Sequence, residues 1–187
     1  MHKIYALFDF ALNHAKGYSL DRFLALPKVQ EAAILQYRDK VNELRVQKKN
    51  ISYLKERFDG KVIANDNLEL ALLVDGLHVG QEDLLRYDTD TKKAVQQLSK
   101  ILDGRMLGLS THNAQEIEVA NMLPLSYIGL GAYRGTQTKA LTHILGKRLA
   151  SLAALSKHPV AAIGGVKSSD KIAHVRYLVL GSDLYEN

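Results

Sequence analysis

Eight short β-rich runs, separated by stretches of helical periodicity, constrain this chain more than any other feature. The runs are "KIYALFD", "AAILQYRD", "KVIAND", "GLHVGQ", "RMLGLS", "SYIGLGA", "PVAAIGG" and "YLVLGS". Several are almost continuously apolar rather than alternating, as strands are when both faces of a parallel sheet are covered. Between them, "LELALL", "AQEIEVANML", "ILGKRLASLAAL" and "SSDKIAHV" have the apolar spacing of amphipathic helices, as does the segment around Lys48 and Lys49. Eight βα units predict an α/β fold, a compact (β/α)8 barrel formed as a single domain over residues 1–187. The chain has 187 residues, against about 250 in typical barrels of this kind, so the connections must be short. The five residues after Ser182 leave no room for a full closing helix. A doubly wound sheet is the alternative that the same pattern allows.

Composition narrows the chemistry. The absence of cysteine excludes a disulfide framework, a thiolate zinc site and a cysteine nucleophile. No apolar stretch is long enough to cross a bilayer, and no signal-like segment opens the chain. A soluble cytoplasmic protein with no membrane partner is the expectation. The net charge is +5, but the basic residues are scattered. The densest cluster, "RVQKKNISYLKER", has the mixed pattern of a solvated helix face and no interleaved stacking aromatics, so no nucleic-acid partner is expected. A moderate positive charge suits small phosphorylated substrates.

The polar residues collect where the apolar runs stop. The second run ends in Gln36, Arg38 and Lys40, the third in Asn65 and Asp66, and the fourth in "GQED" with Asp83. The fifth ends at Ser110 with His112 behind it; the sixth leads into "GAYRGTQTK"; the last two end in Gly164, Gly165, Gly181 and Ser182. In a barrel these are all C-terminal strand ends, the face on which active sites are built. Ordinary local explanations exist for each. Asp66 with Glu69 fits a helix capping box, Glu82 and Asp83 suit a solvated loop, "GTQTK" reads as a polar turn, and His78 sits inside a strand as a core residue would. Taken together, Asp66 and Asp83 end consecutive strands and could share an oxygen-liganded Mg2+. Gln36, Arg38 and Lys40 alternate, so they point the same way in an extended segment. Arg38 offers a fork for phosphoryl oxygens and Lys40 a mobile charge. The glycines of "AIGGV" and "LGS" can expose backbone N–H groups to a phosphate.

The segments "QYRDK", "VIANDNLELAL", "DGLHVGQEDL", "LGLSTHN", "YIGLGAYRGTQTK" and "VAAIGGV" together resemble the thiamine phosphate synthase family, in the family's order over residues 36–182. The resemblance implies a (β/α)8 barrel that joins 4-amino-2-methyl-5-hydroxymethylpyrimidine diphosphate to 4-methyl-5-(2-phosphoethyl)thiazole, releasing pyrophosphate with the help of Mg2+. It implies that Arg38, Lys40 and Asn65 contact the pyrimidine diphosphate and that Asp66 and Asp83 hold the metal. Gln36 would fix the pyrimidine, Ser110 would lie at the reacting centre and Lys139 would meet the departing pyrophosphate. Thr136, Thr138, Gly165 and Ser182 would hold the thiazole phosphate. The sister group, TenI, aromatises the thiazole phosphate by proton transfer, which would make His112 catalytic. A non-catalytic phosphometabolite-binding protein on the same barrel is the third reading.

Some positions depart from the family pattern. Ala132 and Gly135 stand where the family usually has proline, and Asp183 places a carboxylate beside Ser182. Without a closing helix, one side of the barrel is left open or covered by a partner, such as a second copy in a homo-oligomer.

Overall fold

The computed structural model describes residues 1–135 and 144–186. In chain order the elements are β1 (Lys3–Asp9), α1 (Phe10–Ala15), α2 (Leu20–Leu24), α3 (Pro27–Gln30), β2 (Ile34–Arg38), α4 (Leu44–Arg57), β3 (Lys61–Asn65), α5 (Leu68–Ala71) and β4 (Gly76–Val79). There follow α6 (Gln81–Leu84), α7 (Thr91–Leu102), β5 (Met106–Thr111), α8 (Ala114–Ala120), β6 (Tyr127–Gly131), α9 (Arg148–Ala153), β7 (Val160–Ile163) and β8 (Tyr177–Leu180). The strands are parallel and close into a barrel in the order β1 to β8, with β8 returning to β1 through Lys3↔Tyr177 and Tyr5↔Val179. The eight-stranded barrel surrounded by helices is the fold that the sequence predicts.

Strand pleat explains why the runs are apolar throughout. Successive side chains point to opposite faces. Tyr5, Ile34, Ile63, Tyr127, Ala161 and Val179 pack together inside the barrel. Their neighbours Ala6, Phe8, Leu35, Tyr37, Val62 and Ala64 belong to the larger core beneath the helices. Helix α7 shows the matching logic from the other side: Asp90 caps its first turn by accepting from Lys92 and Lys93 N–H, while Ala94, Val95, Leu98 and Leu102 are buried. The lysine-rich α4 buries Ile51 and Leu54.

The connection between β7 and β8 differs from its expected helix. Residues 168–175, "SSDKIAHV", form turns, and His174 has a left-handed backbone with φ 63°. Its hydrogen bonds run elsewhere. Asp170 accepts from Lys167 N–H and Arg134, and the His2 ring bridges Ile172 N–H and Val175 C=O at 3.2 and 2.9 Å. These ties hold the segment flat against the barrel and leave no helical ladder to form.

After β8 the chain makes one 3-10 turn, Ser182–Tyr185. Lys28 secures it, donating to Asp183 C=O at 2.7 Å, to Glu186 C=O at 2.8 Å and to the Asp183 carboxylate at 3.2 Å. Tyr185 packs edge-on against Tyr18 and at a tilt against Phe23, and donates to Asn13. Burial raises the Asp183 carboxyl, but Ser168 N–H and Lys28 outweigh that and hold it below the usual carboxylate range. Asp183 therefore faces Lys28 and Ser168. No helix among the described residues is long and apolar enough to cross a membrane.

Candidate active site at the C-terminal mouth of the barrel

The strand ends bring the second-, third- and fourth-strand residues together. Gln36 is buried inside the barrel, where its amide Nε2 donates to Asn65 Oδ1 at 2.7 Å. Arg38 ends β2 and pairs with the buried carboxylate of Asp9, the last residue of β1. Asp9 also caps α1 through Leu12 N–H at 3.0 Å. The guanidinium is thereby oriented while part of its fork remains available. Sequence reading did not single out Asp9; its signal was a carboxylate ending the first apolar run opposite Arg38. Asp39 serves the turn instead, accepting from Tyr37, Val41 and Asn42.

Lys40 lies beyond the strand and reaches across to Asp66, with Nζ 2.6 Å from Oδ2. Asp66 does not cap α5. Its backbone is left-handed, φ 59°, and Asn67 caps the helix by accepting from Leu70 N–H at 3.2 Å. The turn instead directs the Asp66 carboxylate toward Lys40 and Asn65, whose Nδ2 donates to it at 2.5 Å. Lys40, Asn65 and Asp66, with Arg86 and Tyr87, line a cavity of ≈ 450 Å³ that reaches the first turn of α5.

Asp83 also approaches Asp66. Burial, and after it the Asp66 charge, raises the Asp83 carboxyl above its ordinary value. The expected Mg2+ is nevertheless not supported. Among the described residues no group of three or more His, Cys, Asp or Glu side chains could hold a metal ion. The two carboxylates already engage protein groups: Asp66 accepts from Lys40 and Asn65, and Asp83 accepts from Gly80 N–H at 3.1 Å and forms an ion pair with Arg86 at 3.2 Å. The pair is neutralised by the chain's own cations and donors. Asp66 and Asp83 are thus corrected from metal ligands to an acid pair beside Lys40 and Arg86.

Ser110 meets His78, with Oγ 3.0 Å from Nε2. The other ring nitrogen, Nδ1, lies 3.0 Å from the Tyr127 hydroxyl, which is 2.8 Å from the Tyr5 hydroxyl. Tyr5 in turn donates to Gln36 Oε1 at 2.8 Å. A continuous polar chain therefore crosses the apolar barrel interior. Burial drives the His78 imidazole down to about 4, so it is neutral near pH 7. Burial likewise raises both tyrosines. Tyr5 and Tyr127 were not anticipated. The available signal was a tyrosine at an inward strand position, because a buried hydroxyl needs a partner.

The far side of the mouth is arranged differently from an open phosphate cradle. Gly164 and Gly165 have φ 90° and 61°. A Cβ on Gly165 would stand 2.8 Å from Arg134 Cβ, and one on Gly164 would stand 2.5 Å from Ala132 Cβ. The two glycines thus admit the segment after β6, whose Arg134 N–H donates to Gly164 C=O at 2.8 Å. Arg134 forms a bidentate pair with Asp170 at 2.7 and 2.8 Å and also donates to Gly165 C=O. Ser182 is exposed at the start of the last turn. His112 is half-exposed after β5, its Nδ1 3.0 Å from Glu116. Thr136, Thr138 and Lys139 lie outside the described residues.

Comparison with known proteins gives three findings. Residues 13–177 match the family model described as thiamine monophosphate synthase, TMP-TENI. The chain is 32% identical over 145 residues to the thiamine-phosphate synthase of Persephonella marina, covering 74% of this chain and 66% of that protein. It is 33% identical over 170 residues to the thiamine-phosphate synthase of Dictyoglomus thermophilum, covering 82% and 73%. Thus the match spans just under two thirds of the first relative's length. Among solved structures, a thiamine phosphate pyrophosphorylase from Pyrococcus furiosus superposes with a TM-score of 0.74 at 21% identity, covering 96% of this chain and 85% of that one, a likeness of fold.

Proposed function

The chain belongs to the thiamine-phosphate synthase/TenI superfamily, and on that premise we propose that it couples a hydroxymethylpyrimidine diphosphate to a thiazole phosphate. The single observation that carries this reading is the linked group of Lys40, Asn65 and Asp66 lining a cavity of ≈ 450 Å³, with Arg38, held by Asp9, at the C-terminal end of β2. That cluster offers a fork, a mobile ammonium and an amide to a diphosphate.

The chemistry asks little of the protein beyond charge and alignment. The bond from the pyrimidine methylene carbon to the diphosphate oxygen breaks, and the electron pair leaves with pyrophosphate. The electron-rich aminopyrimidine stabilises the resulting cation. The thiazole nitrogen then donates its lone pair to the methylene carbon, giving thiamine phosphate. Arg38 and Lys40 would offset negative charge on the leaving group, while Gln36, Asn65 and Ser110 align the ring. No covalent nucleophile is needed. Lys139 remains the proposed contact of the departing pyrophosphate, and Thr136, Thr138, Gly165 and Ser182 those of the thiazole phosphate.

A proton-transfer reaction on the thiazole phosphate is the second reading, favoured by one observation: Glu116 orients the half-exposed His112 ring through Nδ1. The two separate in a cell. A bacterial strain lacking its thiamine-phosphate synthase, carrying this chain on a plasmid, should grow without added thiamine if the coupling reading is right. Absence of growth despite abundant folded protein would contradict it.

A further inference from the structure

We propose that Tyr127 and His78 are positioning residues that fix the Ser110 hydroxyl as a hydrogen-bond acceptor toward the ligand, with the direction set at the other end of the hydrogen-bonded chain by Asp66. The inference rests on the reading that this mouth is the substrate site.

Proton counting gives the direction. The Asp66 carboxylate already accepts from the Lys40 ammonium, so Asn65 must face it with Nδ2 and show Oδ1 to Gln36. Gln36 therefore donates with Nε2 and accepts with Oε1 from the Tyr5 hydroxyl. Tyr5 has one proton, now given to Gln36, so across 2.8 Å its oxygen accepts from Tyr127. Tyr127 also has one proton, given to Tyr5. At 3.0 Å from His78 its oxygen must accept, which places the imidazole hydrogen on Nδ1. A neutral imidazole has a single N–H, so Nε2 accepts from Ser110 Oγ–H at 3.0 Å.

Reversing any link would set acceptor against acceptor in the buried interior, where every buried side-chain nitrogen and oxygen among the described residues has a partner. With its proton committed to His78, Ser110 Oγ has only lone pairs to offer. The ligand group that meets it is therefore an N–H or O–H donor, or a carbon developing positive charge. The amino group of a heteroaromatic ring and the methylene of a departing diphosphate ester both belong to that class. Gln36 on β2 and Ser110 on β5 are locked into one unit through His78 by two fully buried tyrosines.

Nitrogen-15 NMR on protein labelled at histidine reads the result directly, with His78→Gln identifying the signal. The wild-type ring should carry its hydrogen on Nδ1. In Tyr127→Phe that hydrogen loses its acceptor and should move to Nε2, where it donates to Ser110. In Tyr5→Phe the Tyr127 proton is released toward Nδ1, and the same exchange of tautomer should follow. Both changes keep the aromatic ring in the core. With each, kcat for coupling should fall roughly 10²-fold through misalignment, with KM little changed. A wild-type hydrogen on Nε2 would overturn the proposal. So would an unmoved hydrogen in both variants, or an unchanged kcat where the hydrogen has moved. If the wild-type protein forms no product at all, the coupling function fails while the NMR signature still decides the relay.

Discussion

Lys40 Nζ lies 2.6 Å from Asp66 Oδ2, joining loops that follow consecutive strands. This pair places an ammonium at the wall of the cavity while half of the lysine side chain stays in solvent. Lys40→Gln removes the charge that a diphosphate would meet. Binding of inorganic pyrophosphate, followed by calorimetry, should weaken about tenfold or more, while the melting temperature changes little. Unaltered affinity would move the diphosphate subsite away from Lys40.

The glycines after β7 predict a stability effect. Gly165 has φ 61°, and an added Cβ would meet Arg134 Cβ at 2.8 Å. Gly165→Ala should therefore lower stability by roughly 1–3 kcal/mol in urea unfolding. A neutral result would mean that the segment after β6 shifts freely.

Arg134 and Asp170 tie that segment to the β7–β8 connection by two charge-assisted bonds. Asp170→Ala removes both and also the acceptor of Lys167 N–H. Amide hydrogen exchange at Tyr133 and Arg134 should speed up, while exchange in β1 to β4 stays at its wild-type rate. Equal acceleration throughout would show that the pair stabilises the whole barrel.

His78 predicts a pH dependence of stability. Burial holds its imidazole at about 4 in the fold, against 6.5 ordinarily. Between those values the unfolded chain binds the proton and the folded one does not. Stability therefore falls as pH drops from about 6.5 toward 4, by about 3 kcal/mol in all, and this contribution is flat above that window. Urea unfolding at pH 7 and pH 4.5 should show the loss in wild type and much less of it in His78→Gln. Further down, the lowered carboxyls of Asp39, Asp75 and Asp183 add losses of their own as each takes up its proton.

Much of this architecture is readable from residue order alone. Seven of the eight strands fall within the apolar runs and β5 passes the end of its run by one residue, Thr111; Arg38, Asn65, Asp66 and Ser110 lie at or next to C-terminal strand ends. The reading breaks down where a side chain's partner lies far away in sequence. Tyr5 and Tyr127 are 122 residues apart, and nothing local marks their hydroxyls as partners. "SSDKIAHV" has helical spacing, but His2, at the other end of the chain, and Arg134 claim its polar groups. The Mg2+ expectation failed for a similar reason. Spacing brings Asp66 and Asp83 to adjacent strand ends, yet it could not reveal that Lys40 and Asn65 both claim Asp66 Oδ2 while Gly80 N–H and Arg86 engage Asp83. Asp66 also resembles a helix cap in sequence, and Asn67 takes that place because Asp66 turns through the left-handed region.

Phosphorus NMR of one incubation tests the proposed coupling most directly. The purified protein is mixed with saturating pyrimidine diphosphate and thiazole phosphate in a buffer with cell-like salts. The account predicts that the diphosphate ester signals decay while inorganic pyrophosphate and thiamine phosphate rise in equal amounts. It also predicts that the rate collapses in Arg38→Ala, whose guanidinium Asp9 orients toward the mouth. A spectrum that stays unchanged with the folded wild-type protein would contradict the account.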